Sequence, residues 1–142
     1  MSEKLTDEAR QIMDERFGKD SLIAVATVSS GVPYVRSVNA YYEDGCFYCV
    51  TYALSNKMRH ISENPTVAIC GEWFTAHGKG ENIGAVSDAK NAPIMQKLRA
   101  AFSEWYSNGH INEDDPNTCI LKIKLTDGIL MSHGRRFEID FT

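Results

Sequence analysis

Apolar positions along this chain switch between two periods, and the switches mark its elements. Leu5, Ala9, Ile12, Met13 and Phe17 recur at helical spacing; Thr6 stands ready to cap, Asp7 and Glu8 fill the first turn, and Gly18 can end the helix. Leu22 to Val28 is a short apolar run closed by Ser29-Ser30-Gly31, which predicts a buried strand hairpinned to a second strand over Pro33 to Tyr42. Glu43-Asp44-Gly45 supplies the next turn, with Asp-Gly as the hairpin signal, and Cys46 to Tyr52 is again rich in aromatic and β-branched residues. Ser55 can cap a short helix with Met58 and Ile61 three apart on one side, and Pro65 bars that helix from passing Asn64.

A strand over Thr66 to Cys70 follows, interrupted at Gly71-Glu72-Trp73-Phe74. The next strand, Thr75 to Val86, puts Ala76, Gly78, Gly80, Asn82, Gly84 and Val86 on one side. A face this poor in side chains predicts close approach by another backbone or a flat ligand. Its glycines do not form a dinucleotide fingerprint, because the spacing is wrong and no helix opens after them. Asp88 or Asn91 caps a second long helix whose stripe is Ile94, Met95, Leu98, Ala101, Phe102 and Trp105, with Gly109 at its end. After the acidic loop Glu113-Asp114-Asp115-Pro116, Cys119, Leu121, Ile123 and Leu125 alternate with lysines. Thr126-Asp127-Gly128 reads as a turn, Ile129 to Ser132 resumes the pattern, and Phe137, Ile139 and Phe141 alternate with charges. The sum is about six strands, one short helix and two longer ones. That order predicts a mainly β, α+β domain built on an antiparallel barrel rather than a parallel sheet.

Composition narrows the class. One domain is expected from 142 residues, and a net charge of −4 argues against a general nucleic-acid binder. No apolar run approaches a membrane span, and the charged start MSEKLTDEARQ is unlike a secretory signal, so a cytoplasmic protein is expected. Cys46 and Cys49 have a redox-like or metal-like spacing but fall in a predicted strand, where residues three apart point to opposite faces. With Cys70 and Cys119 they read as reduced, mostly buried thiols. His60, His77, His110 and His133 are scattered without metal-ligand spacing, so no metal site and no catalytic residue is assigned.

The informative chemistry lies between Arg36 and Pro65. A helix N-terminus carries free N–H groups and partial positive charge, and carboxylates usually sit there. This one has Lys57, with Arg59 behind it. An antiparallel hairpin brings Arg36 near Thr51 and the helix start. Arg36, Thr51, Ser55, the helix N–H groups and Lys57 could therefore converge on one phosphate. A surface arginine and a surface lysine on a solvated hairpin remain the alternative.

The run Arg36-x-Val38, a turn, Val50-Thr51-x-x-x-Ser55-Asn56-Lys57, then Ile61-x-x-Asn64-Pro65-x-Val67 resembles the pyridoxamine 5′-phosphate oxidase-like FMN-binding split-barrel family. The matching residues cover about a quarter of the chain, and the element order extends the likeness to most of it. The resemblance implies a six-stranded antiparallel split barrel with flanking helices. It implies FMN as cofactor, with phosphate and ring contacts drawn from Arg36, Ser37, Val38, Asn39, Val50, Thr51, Ser55, Asn56 and Lys57. It implies a homodimer with the flavin at the interface, and Trp73 is expected to cover the ring from the partner subunit.

Departures from the family's namesake enzyme shape the functional expectation. Tyr41 stands where that enzyme has a substrate-contacting lysine, and Asn56 stands where it has an arginine before the flavin-contacting lysine. Its C-terminal segment with Trp and Arg-x-His has no counterpart here. The resemblance thus implies FMN binding apart from vitamin B6 chemistry, as in the small general-stress, nitroimidazole-reductase-like and haem-handling members. The expected activity is an oxidoreductase passing electrons from a reduced nicotinamide to a small acceptor. The alternative is a non-enzymatic flavin or haem binder acting as sensor or carrier.

Overall fold

The computed structural model describes residues 2–142. Its elements are β1 (Glu3–Lys4), α1 (Asp7–Phe17), β2 (Ser21–Ser29), β3 (Val32–Glu43), β4 (Cys46–Tyr52), α2 (Asn56–Glu63), β5 (Thr66–Gly71), β6 (Phe74–Ala85), α3 (Ala92–Ala101), β7 (Thr118–Ser132) and β8 (Arg135–Asp140). Six strands close into an antiparallel barrel in the cyclic order β7-β4-β3-β2-β5-β6, with β8 and the two-residue β1 appended beyond β7. β7 makes closure possible through its length. One edge pairs with β6 throughout, while the other pairs with β4 over its first half and with β8 over its second.

Local chemistry sets the hairpins. Asp44 and Gly45 both take positive φ (48° and 80°), as do Ser30-Gly31 and His133-Gly134. That is the turn geometry whose twist matches paired strands, and the Asp-Gly signal pointed to it. Thr6 caps α1 by accepting from Ala9 N–H, and Ser55 caps α2 by accepting from Met58 N–H. The main core fills the barrel with Ile23, Val25, Phe47, Val67, Ile69, Phe74, Leu121, Ile123 and Leu125. α1 plugs one end through Met13 and Phe17, and Ile61 of α2 packs into the same core. A second cluster of Met95, Leu98, Phe102 and Ile120 seats α3 on the outside.

Four expectations change. Thr126-Asp127-Gly128 is a bulge inside a continuous β7, where the pairing slips between His77↔Asp127 and Gly78↔Leu125. Gly128 is there because a Cβ would lie 3.0 Å from the Phe74 ring and 3.1 Å from the Phe141 ring. α3 stops at Ala101, and Trp105 and Tyr106 sit in the following turns, Trp105 stacked on Phe102 and Tyr106 against Trp105. Asp88 caps the short 3-10 turn before α3, whereas Asn91 donates to the Ile83 and Ala85 carbonyls.

The fourth concerns the glycine face of β6. Ala76, Gly78 and Gly80 point into the barrel. A Cβ on Gly78 would lie 2.8 Å from the Lys124 carbonyl oxygen, and one on Gly80 would lie 3.0 Å from Ile61. The close approach expected of this face is therefore made by the chain's own β7 and α2. The surface left open is the outer face of β2, β3 and β5, where Val35–Ala26–Ala68 and Ser37–Ala24–Cys70 form two neighbouring cross-strand rows. Leu22 and Val35 on that side are 66% and 70% exposed.

Candidate cofactor-anchoring site

β3 and β4 are paired only at Tyr41↔Tyr48, Tyr42↔Phe47 and Glu43↔Cys46. Beyond Tyr41 they part. Arg36 to Ala40 keep only β2 as a partner, and Cys49 to Tyr52 keep only β7. The barrel wall is thus split, with two strand edges facing the gap and α2 at its end. β4 runs on for four residues after its last pair with β3, with its ladder bonds made to β7 alone.

Two cations meet at this split. Arg36 and Lys57 are each half-buried, and neither has a carboxylate within ion-pair distance among the described residues. The Lys57 ammonium donates to Thr51 Oγ1 at 2.7 Å. Burial lowers its pKa, and repulsion from the Arg36 guanidinium adds to that lowering. The thiols of Cys49 and Cys119 lie near Lys57. Burial pushes Cys49 up to about 12 and Cys119 upward as well, so both are neutral at physiological pH and supply no counter-charge. Burial also lowers the Arg36 pKa. No acidic residue occupies the first turn of α2.

This is an arrangement that an anion relieves. Desolvated, mutually repelling cations are costly without a partner, and a helix N-terminus adds to the positive potential. A phosphate fits the donors available. Arg36 commits Nη1 to the Val25 carbonyl (3.1 Å) and to Thr27 Oγ1 (2.8 Å), leaving its other edge free. Ser55 Oγ accepts from Met58 N–H and keeps its own hydrogen to donate.

The structure distributes the other sequence-derived positions as follows. Ser37 is exposed on the outer side of β3, Val38 is half-buried against the core, and Asn39 donates its amide to Asp20 at 2.9 Å. That leaves Asn39 its backbone groups for any ring contact. Val50 is half-buried against the second cluster, and exposed Asn56 accepts from Arg59. These residues border the split. Trp73 does not: it is 71% exposed in the β5–β6 turn, at the opposite end of β5 from α2, with its carbonyl held by Arg16. Among the described residues, no cluster of three or more His, Cys, Asp or Glu is placed to hold a metal. No helix is long and apolar enough to cross a membrane.

Two residues not assigned from the sequence belong to the cluster. Thr27 is fully buried and joins Arg36 to His60, whose Nδ1 lies 2.8 Å from Thr27 Oγ1. The Tyr34 ring covers His60 at 4.7 Å between centroids. The available signal was the alternation Ile23, Val25, Thr27, which turns a hydroxyl inward.

Several solved structures share this architecture. A NimC/NimA family protein from Clostridium acetobutylicum is 18% identical, with 91% of this chain and 92% of that one covered at a TM-score of 0.67. General Stress Protein 26 from Bacillus anthracis is 19% identical, with 84% and 90% covered at 0.64. An FAD-binding protein from Mesorhizobium loti is 14% identical, with 83% and 90% covered at 0.63. At these identities the likeness is one of fold. No curated protein sequence matches. The sequence does match the family described as pyridoxamine 5′-phosphate oxidase over residues 5–132, nearly the whole barrel, and the chain belongs to that family.

Proposed function

We propose that this protein binds FMN at the β3–β4 split and works as a flavin-dependent oxidoreductase, taking electrons from a reduced nicotinamide and passing them to a small acceptor. The observation that carries the reading is the pair Arg36 and Lys57, half-buried without carboxylates beside the start of α2. Arg36, Thr51, Ser55, Lys57 and the first N–H groups of α2 would hold the phosphate. Backbone groups of Ser37, Val38 and Asn39 and the side chains of Val50 and Asn56 would border the ring. The bound flavin supplies hydride and electron transfer, so the absence of an assigned catalytic residue is no obstacle. The protein's own part is to bind, orient and exclude water.

The same reading makes the protein a homodimer in which the partner completes the site. The outer face of β2, β3 and β5 supports it. Two rows of mostly small or apolar residues lie side by side there, with Leu22 and Val35 exposed, and a two-fold-related copy of the same face would cover them. Trp73 would then reach a flavin across that contact.

Cofactor release from protein as purified tests the reading. Flavin absorbance, identified as FMN and bleached by NADH or NADPH, is the expected result. Flavin that resists bleaching would leave a non-enzymatic binder, and a Soret band would replace FMN with haem. Sedimentation at micromolar concentration tests assembly; a 15.9 kDa species with FMN fully retained would end the dimer proposal.

A further inference from the structure

We infer that Thr27 and His60 position Arg36 for a phosphate monoester, and thereby set a preference for phosphorylated over unphosphorylated flavin. The inference rests on the phosphate reading above. The hydrogen-bond count gives the chain its direction. Arg36 Nη1–H donates to Thr27 Oγ1 at 2.8 Å. Thr27 has one hydroxyl hydrogen, and His60 Nδ1 lies 2.8 Å away. With the Thr27 oxygen already accepting, its hydrogen is best used toward His60, which makes Nδ1 the acceptor and puts the ring proton on Nε2.

Thr27 is 0% and His60 3% exposed, so both are removed from water. A hydroxyl and an imidazole at positions facing the core carry a desolvation cost that two apolar side chains would avoid. Their pairing with each other and with Arg36 satisfies the Thr27 hydroxyl and His60 Nδ1. The return lies in geometry. Nη1 is locked by Thr27 and the Val25 carbonyl, so the fork cannot rotate, and its remaining N–H groups keep a fixed direction for two oxygens of an oxyanion. His60 is also one turn after Lys57 on α2 and is held between Met58 and Ile61, both buried. The chain from Arg36 through Thr27 to His60 therefore ties β3 to the helix that carries Lys57. It sets the two cations relative to each other across the split, where no strand pairing does so.

Thr27 and His60 touch Arg36 and each other rather than the ligand, so they act as positioning residues. The test compares FMN and riboflavin affinities by flavin fluorescence, because riboflavin has the ring without the phosphate. Wild-type protein should bind FMN about tenfold or more tightly than riboflavin, the loss expected when charge-assisted contacts are missing. Thr27→Val removes the hydroxyl at nearly constant shape. It should cut the FMN preference several-fold while riboflavin affinity stays within about twofold, and Thr27→Ser should restore the preference. An unchanged preference in Thr27→Val, or an equal loss for both ligands, overturns the inference. Should Thr27→Val not fold, as read by circular dichroism, the same ratio is measured in His60→Leu, where an unchanged preference overturns it equally. Arg36→Ala separates the two levels. If it leaves the preference at the wild-type value, the phosphate reading itself falls, and the positioning inference falls with it.

Discussion

Replacing Lys57 with methionine should change the free protein little and the FMN complex a great deal. In the free protein the ammonium is half-buried, repelled by Arg36 and without a carboxylate among the described residues; it donates to Thr51 Oγ1 at 2.7 Å. That bond is worth about 1 kcal/mol net, and relief of burial and repulsion opposes its loss. The apo stability of Lys57→Met should therefore stay within about 1 kcal/mol of wild type. In the complex the same substitution removes a charge-assisted contact worth about 1.5–3 kcal/mol, or tenfold and more in affinity. Thermal melts with and without FMN read both effects together. At a concentration one hundred times the wild-type Kd, binding stabilises wild type by about 2.7 kcal/mol, and a tenfold weaker variant by about 1.4 kcal/mol at the same concentration. At about 2–4 °C per kcal/mol, the expected ligand shifts are about 5–11 °C for wild type and about 3–6 °C for the variant. An apo protein destabilised well beyond 1 kcal/mol would show that Lys57 is structural. Identical ligand shifts would show that the phosphate lies elsewhere.

Further expectations can be checked separately. Gly78→Ala should destabilise by about 1–3 kcal/mol in urea, because its Cβ would press on the Lys124 carbonyl at 2.8 Å and Ile123 at 2.9 Å; a neutral outcome would mean β6 and β7 can part without cost. Val35→Lys on the outer face of β3 should shift sedimentation from dimer to a 15.9 kDa monomer, and a variant that stays dimeric would move the interface elsewhere. Burial pushes Tyr42 and Tyr48 up to about 12, against about 10 in an unfolded chain. Their folded pKa values are raised, so their contribution is complete below pH about 10 and is lost as pH rises through about 12. The urea midpoint should fall over that window in step with tyrosinate absorbance, and a flat midpoint there would contradict it.

Periodicity and turn chemistry made the elements legible. Asp44-Gly45 required its hairpin, Thr6 and Ser55 marked two helix starts, and alternation from Cys119 to Leu125 announced the first half of β7, because these are properties of a few neighbouring residues. Lys57 at the start of α2 was legible for a related reason: a cation at a helix start is a local anomaly that needs no three-dimensional information to notice. Other features depended on what the barrel brings together. Thr126-Asp127-Gly128 has turn composition, yet β6 holds it in a bulge, since ladder pairing on both sides outweighs local preference. The glycines of β6 signalled close approach, but only barrel closure decided that β7 and α2 make it rather than a partner. Thr27 and His60 are 33 residues apart in sequence, and nothing local marks either as the other's partner. Their pairing, and the split that leaves β3 and β4 unpaired beyond Tyr41, follow from where α2 docks on the end of the barrel, which is set by the packing of Met58 and Ile61 rather than by any short stretch of chain.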